Sequence, residues 1–190
     1  MNLDFFLRGA TILILVVIRL YWYSVKHKTY FNKQKSQNKS SSFEKIVMMV
    51  CACIIGVNLL GFTLFTFENV IFQSIGLIFV IIGCVEAVIG RKTLGNNWTE
   101  SYEYQIKNEQ QLVKEGIYKY IRHPIYGGLM IAIIGAFIVS KTYLFIPLLF
   151  LQLIIMSHLA KREEKLLSGH FGKIYIDYKQ KTKMFIPFIY

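Results

Sequence analysis

The 190 residues include only three prolines, three cysteines and two tryptophans, and eleven acidic side chains stand against twenty-two basic ones. Each shortage excludes something. Cys51, Cys53 and Cys84 lie inside apolar runs without C-x-x-C or Cys/His spacing, so neither a disulfide framework nor a zinc site is indicated, and they read as small apolar side chains. Charged residues make up 17% of the chain and hydrophobic ones 54%, where soluble domains average about 25% and 45–50%. That balance argues against a compact water-soluble domain. Apolar spans of about 20 residues each would use over half the length and leave no room for a separate nucleotide-binding domain.

What the chain does have is long apolar runs, at residues 5–23, 46–67, 70–90, 125–140 and 142–160. They predict an all-α integral membrane protein with about five transmembrane helices. The fourth run rises about 24 Å at 1.5 Å per residue, a little less than the hydrocarbon core, so a helical hairpin with the fifth that does not fully cross is expected. Arg8 and Arg19, near the ends of the first run, are expected to snorkel. Asp4 ahead of that run, with no small-residue cleavage site after it, argues against a cleaved signal peptide.

The charge of +11 is unevenly placed. Residues 24–45, 91–124 and 161–190 carry 19 of the 22 basic residues, and five alternating spans put all three segments on one face. The positive-inside rule makes that face cytoplasmic, with the N-terminus outside and the C-terminus inside. The charge is then a topology marker and not a nucleic-acid footprint. Residues 68–69 and Lys141 are minimal connections on the other face, and the polar tract 33–42 reads as a linker. Two units follow: 1–67, with two spans and a basic loop, and 68–190, with three spans, a cytoplasmic loop and the tail.

Chemistry-bearing residues concentrate in two places. In 112–128, LVKEGIYKYIRHPIYGG, Tyr118, Tyr120 and Tyr126 alternate with Lys119, Arg122 and His123, and Pro124 opens the fourth run as a first helical residue. Free N–H groups at that helix start favour a carboxylate or phosphate, while Gly127 and Gly128 permit close approach. In the tail, Glu163 and Glu164 reverse the local charge, and apolar residues at spacings of three and four predict one or two amphipathic helices broken near Gly169 or Gly172. Glu86, inside the third run, either serves a function, pairs with Arg91 or Lys92, or reaches the headgroup layer. A membrane-boundary tyrosine belt would account for an isolated R-H-P, and a solvated charged face explains the acidic pair just as cheaply, although two adjacent glutamates in a tail dominated by Lys are less easily dismissed.

Taken together, LGNNWT (94–99), the 112–128 stretch and REEKLLSGHFGKIYIDYKQKTKMFIP (162–187) resemble the isoprenylcysteine carboxyl methyltransferase family of integral membrane methyltransferases, in order and over about half the chain. The resemblance implies S-adenosylmethionine as methyl donor, bound at the cytoplasmic side by the loop before the fourth helix and by the C-terminal tail. The implied cofactor-binding set is Tyr118, Arg122, His123, Pro124, Tyr126, Gly127, Glu163, Glu164, Tyr175 and Tyr178, with no metal. Glu163 and Glu164 would engage the ammonium or ribose hydroxyls, Arg122 or His123 with the helix start would take the carboxylate, and Tyr118, Tyr126, Tyr175 and Tyr178 would pack on adenine or face the sulfonium. A carboxylate acceptor needs only a cation such as Arg162 to orient it, whereas an amine or phenol needs a base, for which His123 is suited. The partners expected are membrane lipids and a hydrophobic, lipid-like substrate entering from the bilayer. An NADPH-dependent sterol-type reductase shares the R-H-P-x-Y-x-G element, and a basic membrane scaffold would account for the charge alone.

Overall fold

A computed structural model describes residues 3–29, 42–63, 66–67, 69–98, 110–143 and 145–186. Most of the 33–42 tract, Thr99 and Pro187 lie outside them. Six helices follow in order: α1 (Leu3–Thr29), α2 (Ser42–Leu59), α3 (Val70–Leu94), α4 (Pro124–Val139), α5 (Phe145–Phe171) and α6 (Lys173–Lys181). Short 3-10 helices occupy Gly95–Asn97 and Gly116–Lys119. The stretch Val70–Asn97 is long and apolar enough to cross a membrane, and Met49–Leu59 and Pro124–Val139 are shorter apolar helices. Ile71, Phe150 and Ile154 are more than half exposed on the outer surface, an apolar exterior of the kind lipid covers.

Two boundaries differ from the sequence reading. The second apolar run ends as a helix at Leu59, because Gly61 adopts φ +101 and turns the chain. Thr66 then forms an antiparallel bridge to Thr142, and the Phe67 N–H donates to the Lys141 carbonyl at 3.0 Å. At the other boundary, α5 continues past the fifth run without interruption to Phe171, so Glu163 and Glu164 ride on the same rigid helix as the apolar residues before them. The break falls at Gly172, with φ +56, before α6.

The main packing is between α3 and α4. Gly76, Gly83 and Gly90 on α3 meet Gly135, Gly128 and Pro124 on α4, an antiparallel seam with backbones in contact. A Cβ on Gly135 would lie 2.5 Å from the Gly76 carbonyl oxygen, and one on Gly90 would lie 3.0 Å from the Pro124 ring. Small residues at such a seam allow the close approach that drives helix association in lipid. Val80, Cys84, Ala132, Ala136 and Phe137 continue this core, against which Leu7, Ile55 and Leu59 pack.

The end of the bundle away from the basic segments is latched by a polar cluster. Arg8 is not a snorkelling residue. Its Nε donates to Asp4 at 3.1 Å, Nη1 to the Asn58 carbonyl at 2.6 Å and Nη2 to the Ser140 carbonyl at 3.5 Å. Fully buried Gln73 donates to Asp4 and to the Val139 carbonyl, and Lys141 Nζ lies 3.4 Å from Asp4. The carbonyls left open at the ends of α2 and α4 need donors, and Asp4, one turn before Arg8, supplies the counter-charge that makes burial tolerable. The contacts gather the starts of α1 and α3 with the ends of α2 and α4, so consecutive helices alternate in direction. The opposite end carries the loop before α4 and the tail.

Candidate functional site

The start of α4 is fixed by the tail. After α6 the chain returns alongside residues 120–123: Ile121 bridges Lys183 in parallel, the Arg122 N–H donates to the Lys183 carbonyl at 2.8 Å, and the His123 N–H to the Met184 carbonyl at 3.0 Å. These two N–H groups are therefore not open to a ligand. Pro124 at the first helical position costs no hydrogen bond. Gly127 lets the Phe185 carbonyl press on the first turn, since a Cβ there would come within 2.7 Å of that oxygen. Met184 and Phe185 then join Tyr126, Met130 and Met156 in a second apolar core below the site.

Glu164 is the electrostatic centre, 2% exposed. Arg122 Nε lies 2.7 Å from one of its oxygens, Lys179 Nζ 2.6 Å from the other, and His123 Nε2 3.5 Å from the first. Burial pushes its carboxyl up, but His123, Lys179 and Arg122 gathered around it outweigh that and hold it down at about 2. Arg122 also donates to the carbonyls of Lys179, at 3.0 Å, and Thr182, so its guanidinium ties α5, α6 and the returning tail together. It is spent on structure.

Glu163, the adjacent residue, points elsewhere. It faces a narrow cleft that encloses about 70 Å³. The Tyr126 hydroxyl donates to Glu163 at 2.9 Å, and His123 Nδ1 lies 3.7 Å from the same oxygen. The His123 and Tyr126 rings stack at 5.4 Å. Tyr118, Tyr175 and Tyr178 complete this side of the wall. Burial raises all three phenols, with Glu163 adding to the effect at Tyr118, so they stay protonated donors. The Tyr178 hydroxyl donates to the Tyr118 carbonyl at 2.7 Å, whereas the Tyr175 hydroxyl, on a residue 1% exposed, has no hydrogen-bond partner among the described residues.

Of the expected residues, the cleft wall thus includes Tyr118, Arg122, His123, Tyr126, Glu163, Tyr175 and Tyr178. Four stand off it. Pro124 packs on Gly90, Gly127 lies under Phe185, Glu164 is buried beneath His123 and Arg122, and half-buried Arg162 is outside the wall. Glu86 does not pair with Arg91: its Oε1 is buried near Gly127, without a hydrogen-bond partner among the described residues. The opposite lip was missed. Leu94, Asn97 and Trp98, with residues 110–113, line it, and the LGNNWT string held the signal.

The family model described as phospholipid methyltransferase matches residues 71–174, from α3 into α6. A probable protein-S-isoprenylcysteine O-methyltransferase of Oryza sativa subsp. indica is 32% identical over 120 residues, covering 60% of this chain and 61% of that one. Its Saccharomyces cerevisiae counterpart is 31% identical over 116 residues, covering 60% of this chain and 48% of that one. The chain thus spans between about half and three-fifths of the length of these relatives. Among solved structures, a eukaryotic intramembrane Ras methyltransferase, isoprenylcysteine carboxyl methyltransferase, superposes with a TM-score of 0.70 at 21% identity, covering 100% of this chain and 69% of that one. These likenesses bear out the resemblance read from the motifs. With more than half its length inside the family match, the chain belongs to the phospholipid methyltransferase family.

Proposed function

We propose that the chain is a membrane-embedded methyltransferase that uses S-adenosylmethionine to methylate a lipophilic acceptor. The observation that carries this reading is the cleft between the loop before α4 and the C-terminal helices. It pairs a carboxylate, Glu163, with a buried hydroxyl, Tyr175, that has no partner among the described residues. An unpaired buried donor is costly, and a ligand oxygen or nitrogen would satisfy it. The donor, when bound, supplies an electrophilic methyl on a sulfonium. Glu163 balances the positive charge, Tyr175 donates to a polar atom of the donor, and the aromatic wall excludes water. Transfer is an in-line displacement, so what these residues contribute is mainly position.

His123 stands on the wall with its ring fixed by Tyr126. It is our choice of base for an acceptor that must lose a proton. Arg162 is our choice for orienting a carboxylate, and its place outside the cleft wall makes it the weaker of the two assignments. We further propose that the cleft end is cytoplasmic, because the basic segments join helices at that end. The acceptor then arrives from the bilayer and the donor from the cytoplasm. A reductase is not favoured, since the relatives are methyltransferases.

Two measurements test the proposal. Labelled donor should bind the detergent-purified protein, and label should pass into a membrane lipid extract. Glu163→Gln should weaken donor binding about tenfold, the order of one charge-assisted hydrogen bond, while leaving the unfolding midpoint within a few degrees. Absence of donor binding by the wild-type chain defeats the proposal, and binding unchanged in Glu163→Gln removes that residue's role.

A further inference from the structure

Arg91 is a buried cation that the chemistry above leaves unused. It is 5% exposed at the end of α3, and among the described residues no carboxylate pairs with it. Its Nη1 donates to the Gly95 carbonyl at 2.9 Å, and its Cζ lies 4.4 Å over the centre of the Trp98 ring. Withdrawing a guanidinium from water is expensive, which directs attention to what it holds. Gly95, at φ +53, turns the chain out of α3, and Trp98 lines the cleft together with Leu94 and Asn97. Asn97 Oδ1 accepts from the Gln111 N–H at 2.8 Å and so ties the second stretch of the lip to the first. The lip hangs on Arg91, which is not itself part of the cleft wall.

The contact also sets the electrostatics of the indole. An aromatic face is negative and attracts a cation, and here the guanidinium takes that place. A second cation at the same ring is then disfavoured, while a neutral planar ring can still pack against it by offset or edge contact. Glu163 supplies negative charge elsewhere on the wall, so the cleft has an aromatic, cation-backed region and an acidic one. A nucleoside carrying a cationic sulfonium has the matching asymmetry.

We infer that Trp98, fixed by Arg91, is the seat for the planar base of the adenine nucleoside, with the sulfonium and ammonium end directed to Glu163. Arg91 is a positioning residue: it orients the indole and touches no ligand. The inference rests on the methyl-donor reading above and adds which end of the donor goes where.

Trp22 and Trp98 are the two tryptophans of the chain, so Trp22→Phe leaves Trp98 as the sole indole reporter. In detergent, adenosine, S-adenosylmethionine and S-adenosylhomocysteine should each change Trp98 emission saturably. Equilibrium dialysis with labelled donor should show Trp98→Leu binding about tenfold more weakly, the order of a base–aromatic stack. Arg91→Lys keeps the charge but loses the planar fork. It should raise the KM for donor about tenfold and leave kcat and the acceptor KM unchanged. If Trp98→Leu does not fold, Arg91→Lys carries the test. Donor that binds without moving Trp98 emission overturns the inference and leaves the methyltransferase reading intact. So does donor affinity within twofold of wild type in folded Trp98→Leu or Arg91→Lys, where Arg91 is then merely structural. A wild-type chain that binds no donor removes both.

Discussion

At the scale of single residues, the adjacent Glu163 and Glu164 divide their work by direction. About 100° of helical rotation separates neighbours on α5, enough to turn one carboxylate to the cleft and the other onto Arg122, Lys179 and His123. The pair was conspicuous in the sequence as a local reversal of charge, but which member faces the ligand depends on how α5 is rotated, and adjacency says nothing about that. Arg122 shows the same limit, since its likeness to an anion binder gave no sign that α6 would offer it carbonyls. Glu164 gives a pH prediction. Its carboxyl falls from an ordinary 4.5 to about 2 on folding, so its contribution is complete above pH 4.5 and is lost as pH drops from there toward 2. The shift corresponds to about 3 kcal/mol. Glu164→Gln should lower the unfolding midpoint at neutral pH and flatten its fall between pH 4.5 and 2, as thermal denaturation in detergent at a series of pH values would show. An equally steep acid decline in the variant would mean that other carboxylates govern it.

At the scale of elements, the position of the site depends on how closely α3 lies against α4. That seam places Pro124 on Gly90 and carries the start of α4 to the end of α3, where the lip begins. The helices themselves were legible, because apolar runs of this length in a chain so poor in charge have few alternatives. The glycine register of α3 was not read, although Gly76, Gly83 and Gly90 recur at a spacing of seven, because glycines in an apolar run look like permissive filler until a partner backbone is seen against them. The continuation of α5 through Lys161 and Arg162 was hidden for a related reason: a charged stretch reads as the end of a span, although nothing in it ends a helix before Gly172. A Cβ on Gly83 would overlap the Gly128 carbonyl and the Ala132 amide, both backbone atoms that cannot swing away. Gly83→Val should therefore cost at least the roughly 1–3 kcal/mol of an overpacked core. It should also reduce donor binding, because the cleft is built from both helices. Gly9→Val, at a position where a Cβ meets nothing within 4 Å, serves as the control and should leave midpoint and binding nearly unchanged. Equal tolerance at both positions would mean that the seam is looser than described.

At the scale of the whole molecule, the arrangement of charge and the arrangement of helices describe one asymmetry. Arg8, Arg19 and Lys141 are the only basic residues outside the three polar segments, and two of them, Arg8 and Lys141, are bound to Asp4 in the buried latch at the far end. Asp4 offsets one of these two charges, so the latch adds little to the field that orients loops and the charge bias lies with the three polar segments. The bias predicts which end faces the cytoplasm. In a background with Cys51, Cys53 and Cys84 replaced by alanine, Phe62→Cys marks the far end and Asp177→Cys, on α6, the cleft end, both at exposed positions. A membrane-impermeant maleimide applied to intact cells should label the first and spare the second, and permeabilised cells should label both. The reverse pattern would place the cleft outside, away from the cytoplasmic supply of S-adenosylmethionine, and would remove the topological part of the proposed function while leaving the cleft chemistry to be judged by donor binding.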